Sequence, residues 1–422
     1  MYQLTNINGT TFIFSPFKGL ETASLGVFIK IGSRFEHKRL RGISHFLEHM
    51  VFKGSKDYSY REIKREIEGR GGALNGFTSQ ETTAYYAHFL KKNLPDTLDI
   101  LLDMVFYPRL AQNDIAKERN VILEEIKMYN DLPSSRAGSI LDKLIWPDNS
   151  LGEEIIGDVS TVSRINRVDL SSFRSGYYRP SNLVISCSGD YNHEKVLSLL
   201  KEKIKKIPQG VNLKYTAPRS LYGTHVKIEN KKIEQTHLCL GFRSVSYLSP
   251  KKFVAELISV ILGANMSSRL FEEVREKRAL CYEISTDVRK YKDSGAFVVH
   301  AGLNKDKIKI ALLSILKELE KIKETRVSDK ELMRAKDYIL GQIVMGLERP
   351  QGRMFYLAEN YLSLGKIYSL EEIKEEIKKV TAEEIRKLSG EIFKFNNLCV
   401  SCVGDVDSKS EKIIADVVGL FK

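Results

Sequence analysis

Two histidines and a glutamate lie close together in the segment 44–51, which reads SHFLEHMV. On a helix, His45 and His49 are four residues apart and project from the same face, one turn above the other. Two imidazole nitrogens at this spacing can bind one metal ion, and nitrogen ligands suit zinc. Glu48 reaches the same neighbourhood with its carboxylate. The segment is therefore a candidate metal site with an acid–base group beside it.

The order H-x-x-E-H is the inverted form of the H-E-x-x-H helix of zinc peptidases. The alternative interpretation is that the helix is ordinary core, with each imidazole hydrogen-bonded to a backbone carbonyl. A five-residue match becomes informative only when the rest of the chain supplies the matching context.

Length and composition predict two domains of ordinary size. The chain has 422 residues, of which 42% are hydrophobic and 28% are charged, as in globular proteins. No apolar run reaches the ~20 residues of a membrane span, and the first residues do not resemble a signal peptide. We therefore expect a cytoplasmic protein.

The net charge of +12 does not predict nucleic-acid binding. Lysines mostly alternate with glutamates on helical patterns, as in the segment 316–324, which is typical of a solvated helix face. The five cysteines are odd in number and scattered, so we expect no disulfide framework. Cys399 and Cys402 lie three apart in a strand-like run and would face opposite sides, which predicts buried thiols rather than a metal pair.

Hydrophobic periodicity and turn residues predict strands, then helices, then strands in each half, with the helices segregated rather than strictly alternating. The metal-site helix is expected over about 42–52. Ser59 and Glu62 form a capping box that opens a second helix. The other predicted elements are strands at 11–14, 25–31, 73–79, 82–89 and 183–187, and helices from 94 to 108 and from 114 to 130.

The two halves of the chain repeat, with position 182 falling on position 397 (offset 215). The segments 182–190 and 397–405 share six of nine positions, and at the same offset Leu25-Gly26 falls on Leu240-Gly241. The predicted fold class is α+β, with two homologous α/β-layered domains in tandem. We expect a first domain at 1–210, a linker at 211–222, which is polar and contains Pro218, and a second domain at 223–422.

The repeat also indicates where the chemistry lies. At the same offset His45, Glu48 and His49 fall on Val260, Gly263 and Ala264, which are apolar or small. Buried polar groups are costly unless they are used. The contrast favours a functional site in the first domain and none at the equivalent place in the second.

A catalytic zinc ion usually takes three protein ligands, and the helix 114–130 is the best source of the third. Glu118 and Glu125 are two helical turns apart and share a face. Val121 and Ile122 lie between them, which predicts that this face points inward, whereas Glu124 is predicted to face solvent. Spacing alone leaves both Glu118 and Glu125 as candidates.

With these residues in place, the chain resembles the pitrilysin (insulysin) metallopeptidase family, and most of all the short bacterial branch related to mitochondrial processing peptidase. The resemblance covers nearly the whole chain. In that family a ligand glutamate follows the second histidine at a characteristic long spacing, and another glutamate precedes this ligand by two helical turns. Counted from His49, Glu125 and Glu118 occupy those two places.

The resemblance implies a role for each residue that matches the family pattern. His45, His49 and Glu125 would bind one zinc ion per chain, and Glu118 would support these ligands. Glu48 would be the general base. The remaining implied residues contact substrate: Asn75, Gly76 and Phe77 on a strand that follows a G-G-x-x-N pattern, and Arg275 and Tyr282 as an Arg–Tyr pair that stabilises the oxyanion.

The resemblance further implies a zinc endopeptidase that hydrolyses peptides or extended segments inside a closed chamber. The full family architecture has four such domains around the chamber, so this chain would be half of a clamshell and a homodimer is expected. Two alternatives stay open: a specialised maturase that acts with a partner, and a non-catalytic structural subunit of the same fold. No nucleic-acid or membrane partner is expected.

Overall fold

The structure of the protein is a computed structural model that describes residues 2–204, 207 and 213–421. The described residues form two compact units. The first unit comprises the ranges 1–127, 154–216 and 345–367, and the second comprises 128–153, 217–344 and 368–422. The predicted domain boundary at positions 210 and 211 lies outside the described residues. No helix in the described part of the chain is long and apolar enough to cross a membrane.

The strands form one mixed sheet in each unit. In the first unit they are β1 Gln3–Ile7, β2 Thr10–Pro16, β3 Thr22–Ile29, β4 Ala73–Thr78, β5 Thr83–Leu90 and β6 Leu183–Gly189, in the spatial order β1-β2-β6-β3-β5-β4. In the second unit they are β7 His225–Asn230, β8 Thr236–Ser244, β9 Cys281–Lys290, β10 Gly295–Leu303 and β11 Leu398–Gly404, in the order β7-β11-β8-β10-β9.

The helices connect these strands and cover the sheets. In chain order they are α1 Ile43–Val51, α2 Tyr60–Ile67, α3 Leu94–Phe106, α4 Gln112–Asp131, α5 Pro133–Ile145, α6 Val159–Val162, α7 Arg167–Tyr177, α8 His193–Ile204, α9 Lys252–Leu262, α10 Ile308–Glu324, α11 Asp329–Leu347, α12 Pro350–Leu364, α13 Leu370–Lys379, α14 Ala382–Ile392 and α15 Ser408–Gly419. The predicted capping box at the start of α2 is present, with Ser59 and Glu62 bonded reciprocally.

Both faces of each sheet are buried, so their central strands are apolar on both sides. Along β3, Leu25 and Val27 belong to the core beneath α1, α3 and α4, whereas Phe28 faces α12. In the second unit, Leu240 of β8 faces α9, α10 and α14, whereas Cys239 faces α5. This alternation follows from the two-residue period of a strand.

The repeat predicted from sequence has a direct structural counterpart. Strands β6 and β11 are equivalent under the repeat, and β6 pairs with β3 as β11 pairs with β8, antiparallel in both cases. All five cysteines are free and buried. Cys399 and Cys402 belong to the cores on opposite faces of the second sheet, as expected.

One helix of each unit comes from the other half of the chain. Helix α5 packs on β8 and β11 of the second unit, and α12 packs on β3 and β6 of the first. The contiguous domains 1–210 and 223–422 do not include this exchange. Sequence identity between the halves marks equivalent strands, but it carries no information about which sheet covers a given amphipathic helix.

Candidate metal centre

Helix α1 has an apolar face that fixes it in the first unit and an N-terminus that is bonded to a buried carboxylate. Phe46, Leu47 and Met50 are fully buried. The backbone N–H groups of Gly42 and Ser44 donate to the two carboxylate oxygens of Glu36, each at 2.7 Å. Burial raises the pKa of Glu36 to about 7, although these hydrogen bonds oppose the shift. Glu36 therefore satisfies N–H groups that the helix itself leaves without a partner.

The face of α1 that is not used for packing brings its histidines to Glu125 of α4. Nε2 of His45 lies 3.8 Å from Oε2 of Glu125, and Nε2 of His49 lies 3.6 Å from the same oxygen. The ring centroids of His45 and His49 are 4.6 Å apart. Zinc ligands ~2.0–2.2 Å from a tetrahedral ion lie about 3.3–3.6 Å from one another. The three residues therefore have the composition and nearly the spacing of a zinc ligand set.

The state of the donors also fits a metal ion. Burial, and then the nearby His49, lower the pKa of His45 to about 3. The imidazole is therefore neutral at physiological pH, which is the form that binds metals. Its Nδ1 is buried and has no hydrogen-bond partner among the described residues.

Glu118 is buried two turns before Glu125 on α4. It contacts His49 but is not one of the three clustered metal-binding residues. Its Oε2 lies 3.2 Å from Nδ1 of His49, and its Oε1 accepts a hydrogen bond from Nζ of Lys53 at 2.7 Å. Burial would raise the pKa of Glu118, but the hydrogen bonds from His49 and Lys53 hold it below its ordinary value. A carboxylate at Nδ1 favours the tautomer that leaves Nε2 of His49 free for a metal.

Glu48 lies on the same turn of α1 as His49 and faces strand β4. The hydroxyl of Thr78 donates to its Oε2 at 2.9 Å. Burial raises the pKa of Glu48, and the hydrogen bond from Thr78 opposes the rise. A carboxylate with a raised pKa, fixed beside a metal ligand set, is suited to accept and return a proton.

Strand β4 is the last strand of the first sheet, so its outer edge has no neighbouring strand in the described part of the chain. It carries the three predicted substrate-binding residues. Asn75 is exposed, with its side-chain oxygen accepting from the N–H of Gly76 at 2.8 Å, and Phe77 packs against Phe355 of α12. The structure therefore brings Thr78, which bonds Glu48, onto the same free edge as Asn75, Gly76 and Phe77.

Arg275 and Tyr282 lie together in the second unit. Arg275 belongs to a π-helical segment, Phe271–Glu276, and its guanidinium carbon is 4.5 Å from the ring centre of Phe271 and 6.0 Å from that of Tyr282. The side chain of Tyr282 is 73% exposed at the start of β9. Tyr282 is thus exposed to solvent on its own unit.

One sequence expectation about α4 is wrong, and three supporting residues were missed. Val121 is 49% exposed, because the buried face of α4 runs along Ile115, Glu118, Ile122 and Ile126. Glu124 is exposed, as predicted. Glu36, Lys53 and Thr78 contact the site from loops or neighbouring elements, so no spacing rule identifies them. For Thr78 the only sequence signal was its place on the predicted strand 73–79.

Comparison with protein families supports the fold. The model of the insulinase family (peptidase family M16) matches residues 16–159, and that of the peptidase M16 inactive domain matches residues 164–339. The first match spans the H-x-x-E-H helix and Glu125, and the second begins before the predicted linker and covers much of the second repeat. Together, the tandem fold and the His-His-Glu set define a protein of the zinc-peptidase class in architecture.

Relatives extend this similarity over most of the chain. An uncharacterised zinc protease, YmxG, of Bacillus subtilis is 33% identical over 386 residues, which cover 92% of this chain and 94% of that protein. An uncharacterised zinc protease of Rickettsia felis is 32% identical over 387 residues, 92% of this chain and 93% of that protein. The chain belongs to the insulinase family of peptidases, family M16.

Solved structures show the same fold at lower identity. A protease from Helicobacter pylori has a TM-score of 0.88 at 21% identity and covers 96% of this chain and 99% of that chain. A peptidase M16 inactive domain from Pseudomonas fluorescens has a TM-score of 0.89 at 17% identity, covering 96% and 98%. The predicted α+β fold of two homologous domains in tandem is confirmed.

Proposed function

We propose that the protein is a zinc endopeptidase that hydrolyses peptides or extended polypeptide segments. The observation that carries this proposal is the convergence of His45, His49 and Glu125 within one ligand spacing, with Glu48 fixed beside them by Thr78. Membership of a peptidase family, and relatives named zinc proteases, support the same reaction class.

The residues divide the chemistry between them. A zinc ion held by His45, His49 and Glu125 would supply a Lewis acid that activates water and polarises the peptide carbonyl. Glu48 accepts the proton of the attacking water and returns it to the leaving amine. Its raised pKa suits both steps, because a group that must give the proton back cannot be a strong acid.

The free edge of β4 supports binding of an extended substrate. An added strand would pair with the backbone of β4 and gain affinity from main-chain hydrogen bonds, whatever its sequence. Thr78 and Glu48 are bonded at the end of this strand, so a peptide paired along Asn75, Gly76 and Phe77 runs toward the general base. This arrangement favours polypeptides over small amides as substrates.

We also propose a homodimer that forms the closed chamber, with Arg275 and Tyr282 serving the centre of the partner chain. The support is the exposure of Tyr282 and the proximity of the two side chains, which leave both able to donate to an oxyanion.

The test of the peptidase proposal is Glu48→Gln. Glutamine keeps the size of the side chain and can still accept from Thr78, but it cannot take the water proton. The variant should hold the same zinc per chain as the parent and lose at least about a thousandfold in peptide turnover, within the range of general-base contributions. Zinc would be counted by atomic emission and turnover measured on a mixed peptide library with and without chelator. Near-normal turnover in a zinc-loaded variant would remove Glu48 from this role.

A further inference from the structure

The second unit contains another group of two histidines and a glutamate that the peptidase site does not use. His237, Glu283 and His300, here called the second His–Glu cluster, lie on three adjacent strands, β8, β9 and β10. Nδ1 of His237 is 3.2 Å from Nε2 of His300 and 4.0 Å from Oε1 of Glu283. Nδ1 of His300 is 3.8 Å from the same carboxylate oxygen.

The cluster repeats the donors and the spacing of the first centre in an unrelated place. At the first centre the nitrogen–oxygen separations are 3.8 and 3.6 Å, and at the second they are 3.8 and 4.0 Å. The first centre is built from two helices. The second lies on a sheet face, the same face on which α5 packs against other residues of β8 and β10. The repeat of the two halves does not place one set on the other, so it does not explain the second cluster.

Gly302 is what allows the three side chains to meet. Gly302 pairs with His237 on one neighbouring strand and with Glu283 on the other. His237, Gly302 and Glu283 therefore form one row across the sheet. A Cβ at this glycine would lie 3.1 Å from both Cγ and Oε1 of Glu283. Glu283 therefore folds back over the bare backbone of β10 toward His300, two residues along the same strand.

The protonation of the cluster is compatible with ligation. Burial lowers the pKa of both His237 and His300, although Glu283 opposes the shift. Both imidazoles are therefore neutral near pH 7, and their mutual hydrogen bond needs one N–H donor and one free nitrogen. One donor atom of each residue, a ring nitrogen of each histidine and a carboxylate oxygen of Glu283, lies within 4.8 Å of the other two, and these are donors that suit zinc.

We propose that His237, Glu283 and His300 bind a second zinc ion. Such an ion joins three strands, including β9, which is the edge strand of this sheet. Glu283 immediately follows Tyr282, so the ion fixes the segment of β9 that presents this exposed tyrosine. The site is structural rather than catalytic, since no carboxylate comparable to Glu48 lies beside it among the described contacts of the cluster.

The test counts zinc in the parent, three variants and one control, all purified alike and reloaded with Zn²⁺ alone. The parent should hold two zinc ions. His45→Ala/His49→Ala should hold one, His300→Ala/Glu283→Gln should hold one, and the variant with all four changes should hold none. Because each pair is removed separately, failure of the first centre and failure of the second give different counts. His225→Ala, which removes a partly buried histidine of the same sheet, is the matched control and should hold two.

Gly302→Ala keeps every donor and places its Cβ against the side chain of Glu283. In the His45→Ala/His49→Ala background it should weaken zinc binding by roughly 10–100-fold, the range found when a group that orients a ligand is changed. Titration against a chelator of known affinity gives the dissociation constants. A count of no zinc in the His45→Ala/His49→Ala chain, or a count that His300→Ala/Glu283→Gln leaves unchanged, overturns the proposal.

Discussion

Glu118 offers the sharpest test of how the first centre is supported, because its two oxygens serve two different donors. Oε2 faces Nδ1 of His49 and Oε1 accepts from Lys53. In Glu118→Gln only one oxygen remains, and the amide N–H₂ must face either the His49 N–H or the Lys53 ammonium. The amide N–H₂ then faces another hydrogen-bond donor, and that contact is unfavourable. We expect zinc to bind about 10–100-fold more weakly, or about 1.4–2.8 kcal/mol.

The same geometry predicts a rescue. Lys53→Met removes the second donor. An apolar methionine suits this position because the side chain of Lys53 is only about one-third exposed. In Lys53→Met/Glu118→Gln the amide is free to turn its oxygen to His49, so zinc affinity should return most of the way to that of Lys53→Met alone. Glu125→Gln, by contrast, removes a ligand, should weaken zinc more than Glu118→Gln does, and should not respond to Lys53→Met.

The assay is competition for zinc with a chelator of known affinity at neutral pH, with circular dichroism confirming the fold of each chain. Two results would refute the reasoning. If Glu118→Gln weakened zinc more than Glu125→Gln, the assignment of ligand and supporting residue would be reversed. If the losses from Lys53→Met and Glu118→Gln simply added, the two donors would not compete for the amide.

Three further predictions follow from the structure and from the proposed homodimer. Thr78→Val should lower turnover by about tenfold without changing the zinc count, because it removes the hydrogen bond that holds Glu48; equal losses of turnover and zinc would contradict a positioning role. The pKa of Glu36 is about 7 in the fold against 4.5 ordinarily, so the folded protein binds an extra proton between these values and the free energy of unfolding should decrease as pH rises through this window. Glu36→Gln should reduce this dependence of the free energy of unfolding on pH, measured by urea unfolding at one pH below the window and one above it. An unchanged dependence would exclude Glu36 as its source. Mixing Glu48→Gln chains with Arg275→Ala/Tyr282→Phe chains should restore activity through heterodimers, at most about half of all dimers for random exchange, and co-purifying but inactive heterodimers would show that sites are not shared.

The sequence identified site residues where the function imposes a fixed spacing along the chain. It did not identify residues whose position depends on tertiary packing. His45, Glu48 and His49 are readable because one helical turn places them together, and Glu125 because the family distance selects it from Glu118. Thr78 and Lys53 act from outside α4, and nothing in their local sequence indicates which carboxylate they bond. Val121 was misplaced because the buried face of α4 is narrow, so adjacent positions differ in exposure.

The second His–Glu cluster is equally hidden in the sequence. Its members, at positions 237, 283 and 300, are far apart along the chain, and only strand pairing through Gly302 joins them. Register across a sheet depends on long-range pairing, which residue periodicity does not specify.

The exchange of α5 and α12 determines when the first unit can be completed during synthesis. Both faces of its sheet are apolar, and the face with Ile13, Phe28 and Val184 is covered by α12. That helix ends at Leu364, so the ribosome has made most of the chain before the cover exists. Chains generally fold from the N-terminus as they emerge, but here the unit that carries the metal centre has to wait with an apolar surface exposed. The nascent chain therefore has a long interval in which it needs protection from aggregation, and a premature stop anywhere before α12 leaves the first unit incomplete.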